Sequence, residues 1–264
     1  MVIDFHTHVF PDKIAEKTVE SLKARASLPA FSDGTVSGLR ASMERSGVDL
    51  SVVLPVVTAP RQFQSVCAFA QSINQEGRGL LSFGGLHPQS ESWEQELTEL
   101  KAMGFQGIKL HPDYQDTFVD EPRMLRLLSK AAELDLIVVL HSGLDLGLPD
   151  PVHCTPQRAA RMLEEVGGGR FVFAHCGASG MLEDVERHLA GRDVWFDLSF
   201  DLLRLPPERV TRLIRLHGAH RCLFATDSPW TDQEESLRRV DELGLTLEER
   251  DRILGGNGEE LLGL

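Results

Sequence analysis

Eight short apolar runs, each followed by an amphipathic stretch of a dozen or so residues, constrain this chain more than any other feature. They cover residues 2–6, 50–57, 80–86, 107–110, 136–140, 171–174, 194–198 and 222–226. Apolar residues fill them almost without interruption, the pattern of strands buried on both faces. The segments between, such as 14–23, 66–74, 93–103, 124–134 and 158–166, carry helical spacing. This alternation predicts parallel strands joined by helical crossovers. Residues 26–37, with Pro29, Gly34 and several small polar residues, are expected to form a loop after the first helix.

An open doubly wound sheet and a closed barrel share this alternation, and the placement of polar residues separates them. Six of the ten histidines (His6, His8, His87, His111, His141 and His175) fall at or just past the carboxyl end of a predicted strand. An open sheet gathers its functional groups at one switch point. Here they follow strands one, three, four, five and six, and Asp227 follows strand eight. Only a closed ring brings those ends together, so the expected fold is α/β, a (β/α)₈ TIM barrel in a single domain over residues 1–264. That length is near the ~250 residues usual for such a barrel.

The 42% of hydrophobic residues suffice for a continuous core. With 27 basic against 40 acidic residues the formal charge is −13, which repels a polyphosphate backbone and argues against nucleic acid as partner. The expected partner is a small-molecule substrate, and a homo-oligomer is compatible with the sequence. Cys67, Cys154, Cys176 and Cys222 include no C-x-x-C pair and read as reduced thiols. The start MVIDFHTHVF lacks a basic flank with an apolar run behind it, and no stretch reaches 18 apolar residues, so a soluble cytoplasmic protein is expected.

His6 and His8, two apart in DFHTH, project to the same side of an extended backbone and suit two nitrogens on one ion. Lys109 and His111 share one face of the fourth strand by the same period. Lys109 either lines the site or pairs with a barrel carboxylate such as Asp4. His87, in GGLHP, either reaches the pocket or closes a turn before Pro88. Arg61, Tyr114, His153 and Trp230 fall in loops after strands and are candidates for binding a carboxylate or a ring. His188, His217 and His220 lie away from the strand ends and read as structural or surface residues.

DFHTH, GIKLHP, VVLHSG, FVFAHCG, ATDSPW and the terminal ILGGNGEELLGL, in that order along the chain, resemble the amidohydrolase superfamily. The similarity is to the amidohydrolase-related branch that includes aminocarboxymuconate-semialdehyde decarboxylase. The resemblance implies a divalent metal, with zinc the default and manganese or iron alternatives, held by His6, His8, His141 and Asp227. His175 then either acts on substrate or water beside one ion or binds a second. Lys109, which bridges two ions as a carbamate in two-metal members, is here expected with His111, His87, Arg61 and Trp230 among the substrate-binding residues. Such a donor set leaves a coordination position for water, whose pKa falls toward ~7. Asp227 and His175 would move protons.

The implied activity is metal-dependent hydrolysis or lyase chemistry on a small organic acid, lactone, ester or amide. Decarboxylation or hydration of an unsaturated acid is the alternative. A TatD-type deoxyribonuclease also opens on H-x-H, but carries a glutamate where this chain has Lys109, and the −13 charge opposes it. A phosphoesterase of the PHP type lacks the later motifs. A metal-free barrel serving as a binding protein is the non-catalytic alternative, and the massed imidazoles argue against it.

Overall fold

The computed structural model describes residues 1–264. Eight strand positions follow one another in chain order. They are β1 (Ile3–Thr7), β2 (Leu50–Val53), β3 (Leu80–Ser82, resuming at Gly84–Gly85), β4 (Gly107–Leu110), β5 (Ile137–Leu140), β6 (Arg170–Phe173), β7 (Trp195–Asp197) and β8 (Cys222–Leu223). Every neighbouring pair is parallel. The ladder is interrupted only at Phe83, where the Phe83 N–H still donates to the Val53 carbonyl at 2.9 Å. β8 returns to β1 through Phe5 N–H to Phe224 O at 2.9 Å and a parallel bridge between Thr7 and Ser228. The sheet therefore closes on itself, and the expected (β/α)₈ barrel is the observed fold.

Alternation along the strands divides the apolar residues between two cores. Ile3, Phe5, Val52, Leu54, Phe83, Ile137, Val139, Val172, Leu223 and Ala225 fill the barrel interior, joined at its amino-terminal end by Leu261 and Leu262 of the last helix. The even-numbered neighbours Ile108, Leu110, Val138 and Leu140 face outward onto the helices in a larger core. Helix Pro122–Glu133 shows how the ring is covered. Pro122 occupies its first turn, where no backbone donor is needed, and Met124, Leu127, Leu128 and Ala131 form its buried stripe.

Two details depart from the expected boundaries. The second strand ends at Val53, and residues 54–57 lie beyond it, with Leu54 N–H still donating to the Thr7 carbonyl of β1 at 2.9 Å. The expected loop at 26–37 is shorter, because helix Val36–Ser46 begins within it, capped by the Thr35 side chain accepting from Gly38 N–H. No helix is long and apolar enough to cross a membrane.

Phe83 sets edge-on to Phe5, with ring centroids 6.0 Å apart, and Gly107 makes room for it. A Cβ at 107 would lie 2.5 Å from both the Ile137 carbonyl and the Phe83 ring. Gly107→Ala is expected to destabilise the protein by about 2 kcal/mol or more through overpacking, read as a lower midpoint in chemical denaturation.

His217 confirms its reading as a structural residue. Buried and stacked on Phe196, it donates from Nε2 to the Val194 carbonyl at 3.0 Å and accepts at Nδ1 from Gly191 N–H at 3.2 Å. Burial pushes its pKa down to about 4, so the unfolded chain takes up a proton before the folded one does. The stabilisation from the neutral ring is complete above about pH 6.5 and lost as pH falls through about 4. Unfolding free energy should therefore fall on acidification across that window, by up to about 3 kcal/mol from this residue. His217→Gln should flatten the dependence in denaturation curves taken at a series of pH values.

Candidate metal centre

The pleat of β1, with Ile3 and Phe5 inside the barrel, would by strict alternation carry His6 and His8 to the outside. The pairing of β1 with β2 moves from Asp4–Ser51 to Thr7–Val53, so β1 advances three residues while β2 advances two. This bulge turns His6 and His8 into the cavity at the carboxyl end of the barrel. It leaves Thr7 facing outward, donating from Oγ1 to the Val52 carbonyl at 2.9 Å.

There the two imidazoles meet Asp227. His6 Nε2 lies 3.2 Å from His8 Nε2, and Asp227 Oδ1 lies 3.1 Å from His8 Nε2 and 3.5 Å from His6 Nε2. Ligands at ~2.0–2.1 Å in a tetrahedron are separated by about 3.3 Å, so the triangle has the edge lengths of a divalent-metal face. The opposite ring nitrogens are already committed. His6 Nδ1 contacts Asp197 Oδ2 at 2.8 Å, and His8 Nδ1 contacts the Leu54 carbonyl at 2.8 Å. Carboxylate and carbonyl oxygens only accept, so each Nδ1 carries the proton and each Nε2 presents its lone pair. Three electron-rich atoms thus face one another, an arrangement that a cation relieves.

The charges around the triangle agree. Burial, helped by the neighbouring Lys109 charge, lowers the pKa of His6 to about 3, which keeps the ring neutral and able to donate its lone pair. Burial works to raise Asp227, but its close contacts with His8, His6 and His175 hold it below the usual carboxylate range. Lys109 is 1% exposed, with Nζ 3.2 Å from His6 Nε2. Burial lowers it to about 8 against the pull of Asp197 and Asp227. Asp4 is not its partner: that carboxylate accepts from Thr226 and Gln233 on the outer side of β1.

Asp197, at the end of β7, orients much of the site and was not singled out from sequence. Its Oδ2 faces His6, while its Oδ1 accepts from the backbone N–H groups of His175 and Ser199, both at 3.1 Å. The Ser199 hydroxyl donates to the same oxygen. The available signal was an aspartate inside the apolar run VWFDLSF, where a charge needs a partner. The Leu54 carbonyl had no signal at all, because any residue supplies one.

A second group adjoins the first. His175 Nε2 lies 3.0 Å from His141 Nδ1, and His175 Nδ1 lies 2.9 Å from Ser199 Oγ. His111 stacks on His141 at 3.9 Å between centroids, nearly parallel, and its Nε2 contacts Asp145 Oδ2 at 3.2 Å. His141 Nε2 is buried with no protein partner. Its donor atoms group with His111 and Asp145 rather than with the His6, His8 and Asp227 triangle. His175, Phe200 and Asp227 all have left-handed backbone, with φ of 60°, 60° and 68°. Such conformations cost a non-glycine residue of order 1–3 kcal/mol, and they cluster at this rim.

Both groups open into one cavity of about 540 Å³, also lined by Lys109, Tyr114 and Trp230. Three sequence candidates lie outside it. The His87 ring accepts from Gln89 N–H at 3.2 Å and closes the turn at Pro88. Arg61 is exposed on a short 3₁₀ turn, Pro60–Gln62, whose Gln62 lines the cavity instead. His153 is buried against Asp113 at 3.0 Å and under Phe118. The first helix, Asp12–Ala26, contributes Ile14, Thr18, Leu22 and Arg25 to the wall, none of them anticipated.

Because an amide at 197 must aim its NH₂ at a donor whichever way it turns, Asp197→Asn should weaken metal binding ten- to a hundredfold. Competition with a chelator of known affinity measures this.

The family model described as amidohydrolase matches residues 3–264. No curated protein sequence matches the chain. Among solved structures, an uncharacterised TIM-barrel protein from Bordetella bronchiseptica aligns with a TM-score of 0.80 at 16% identity, covering 99% of this chain and 98% of that one. 5-Carboxyvanillate decarboxylase from Sphingomonas paucimobilis aligns at 0.73 and 15% identity, covering 100% and 99%. A probable 2-pyrone-4,6-dicarboxylic acid hydrolase from Acinetobacter baumannii aligns at 0.69 and 18% identity, covering 100% and 99%. At these identities the likeness concerns the barrel.

Proposed function

The chain belongs to the amidohydrolase family, and from that we propose that it is a metal-dependent hydrolase or lyase acting on a small organic acid, lactone, ester or amide. One observation carries the reading. The lone pairs of His6 and His8 and an oxygen of Asp227 converge at 3.1–3.5 Å, while both Nδ1 atoms are tied to acceptors. His141, with its buried unpartnered Nε2 in the same cavity, is the further donor we assign to the ion. We assign one ion to these residues and leave His175, whose ring nitrogens meet His141 and Ser199, to act beside it. Nitrogen and oxygen donors favour zinc, with manganese or iron as the alternatives.

A divalent ion held there supplies Lewis acidity and a water acidified toward neutral pH. The chain's own groups do the rest. Asp227 meets the imidazoles through Oδ1, which leaves Oδ2 to take a proton and return it to a leaving group. His175, braced by Ser199, is placed to hold or move a second proton. The buried Lys109 ammonium stabilises negative charge on bound substrate, and the apolar walls limit competing water. Hydrolysis and decarboxylation both draw on these elements. They differ in the bond that the cavity presents to them, and the names of the structural neighbours include both chemistries.

Purified protein is expected to hold about one equivalent of metal by elemental analysis. Asp227→Asn should stay folded by circular dichroism and lose about 10²–10⁴-fold in kcat on whichever aryl carboxylate, lactone or ester the wild type turns over. Undiminished turnover in that variant, or metal-free protein that is fully active, overturns the reading.

A further inference from the structure

The cavity has two chemically different ends. At its base lie the imidazoles, Asp227 and Lys109. Its mouth is apolar, built from Ile14 and Leu22 of the first helix, Phe69, and Leu144 and Leu146 of the loop after β5. Ile14, Leu144 and Leu146 remain 50%, 39% and 45% exposed, which is costly unless something apolar passes or sits there. In this apolar rim stands one cation, Arg25. Apart from Lys109 it is the only lysine or arginine lining the cavity.

Arg25 forms no ion pair, whereas Arg40, Arg158, Arg161, Arg212 and most other arginines do. The nearby carboxylate is already engaged. Asp145 gives Oδ2 to His111 at 3.2 Å and Oδ1 to Gly147 N–H at 2.7 Å. The Arg25 stem lies across Gly147, where an added Cβ would come within 3.2 Å of its Cδ, so the loop supports the side chain without an ion pair to it. Its head sits by the Tyr114 hydroxyl. Tyr114 packs edge-on against His111 at 4.4 Å, and His111 stacks on His141. Arg25 is thus linked to the base of the cavity through three side-chain rings, those of Tyr114, His111 and His141.

We propose that Arg25, with the Tyr114 hydroxyl beside it, is the specificity-determining receptor for a second carboxylate. On this assignment the preferred substrate is a diacid with a flat apolar body, one acidic or carbonyl group at the base and a carboxylate at the mouth. A guanidinium fork matches a carboxylate in two parallel hydrogen bonds, and the apolar rim accepts the body between them. The assignment rests on the reading of the base as a metal site, and the experiment separates the two.

Zinc-loaded wild type, Arg25→Gln, Arg25→Lys and the exterior control Arg61→Gln are titrated calorimetrically with benzene-1,3-dicarboxylate, benzene-1,4-dicarboxylate and benzoate. Wild type and Arg61→Gln are expected to bind the better diacid at least tenfold more tightly than benzoate. Arg25→Gln should bring the diacid to the benzoate level with benzoate binding unchanged, and Arg25→Lys should fall between. No preference for a diacid in the wild type, or an undiminished preference in Arg25→Gln, overturns the assignment. Metal content measured on the same samples reports separately on the base of the cavity. Loss of the metal reading shows there as protein that takes up no zinc, whatever the diacid preference.

Discussion

The hydrogen bonds that close the barrel also assemble its site. Asp227 N–H donates to the His6 carbonyl at 2.8 Å and His8 N–H to the Ser228 carbonyl at 2.7 Å, so the end of β8 is joined to β1 at the residues whose side chains meet. A chain in which the first and last strands did not pair would leave the imidazoles and the carboxylate, separated by more than two hundred positions, without a common location. Closure is driven by the apolar interior, from Ile3 and Phe5 to Ala225 and the plug of Leu261 and Leu262. The polar rim is carried on that scaffold rather than contributing to it.

Proton bookkeeping decides what the rim can do. Asp197 and the Leu54 carbonyl take the Nδ1 protons of His6 and His8, which leaves both Nε2 lone pairs aimed at the same point as Asp227. Desolvation keeps His6 from relieving the crowding by protonation. Lys109 supplies positive charge from one side, and a bound ion would supply it from the centre. The left-handed backbone at His175, Phe200 and Asp227 is part of the same design, since it turns side chains at the ends of β6, β7 and β8 toward the cavity where straight continuation would not.

The site was legible in the sequence where a residue's chemistry is unusual for its position. Imidazoles and a carboxylate ending apolar strands are such cases, and the motifs around them resemble the family to which the chain belongs. Arg61 and His87 show the limit. Both follow strands, yet a short 3₁₀ turn carries Arg61 to the surface and the Pro88 turn uses His87 as an acceptor. Arg25 shows the converse, an unremarkable arginine on a helix that only packing brings to the cavity mouth. Helix Val36–Ser46 was hidden behind the glycine and small polar residues that precede it, although Thr35 is an ordinary cap.

By itself the sequence determined the alternation of strand and helix, the count of eight strands, the number and kind of donor groups, and the shared side of His6 and His8. These follow from periodicity and composition, which act over a few residues. Tertiary structure decided which side that was, through one bulge against β2. It also decided which tautomer each imidazole adopts, through Asp197 and a backbone carbonyl at Leu54. Those outcomes depend on register and contact between segments far apart in the chain, and local pattern holds no record of either.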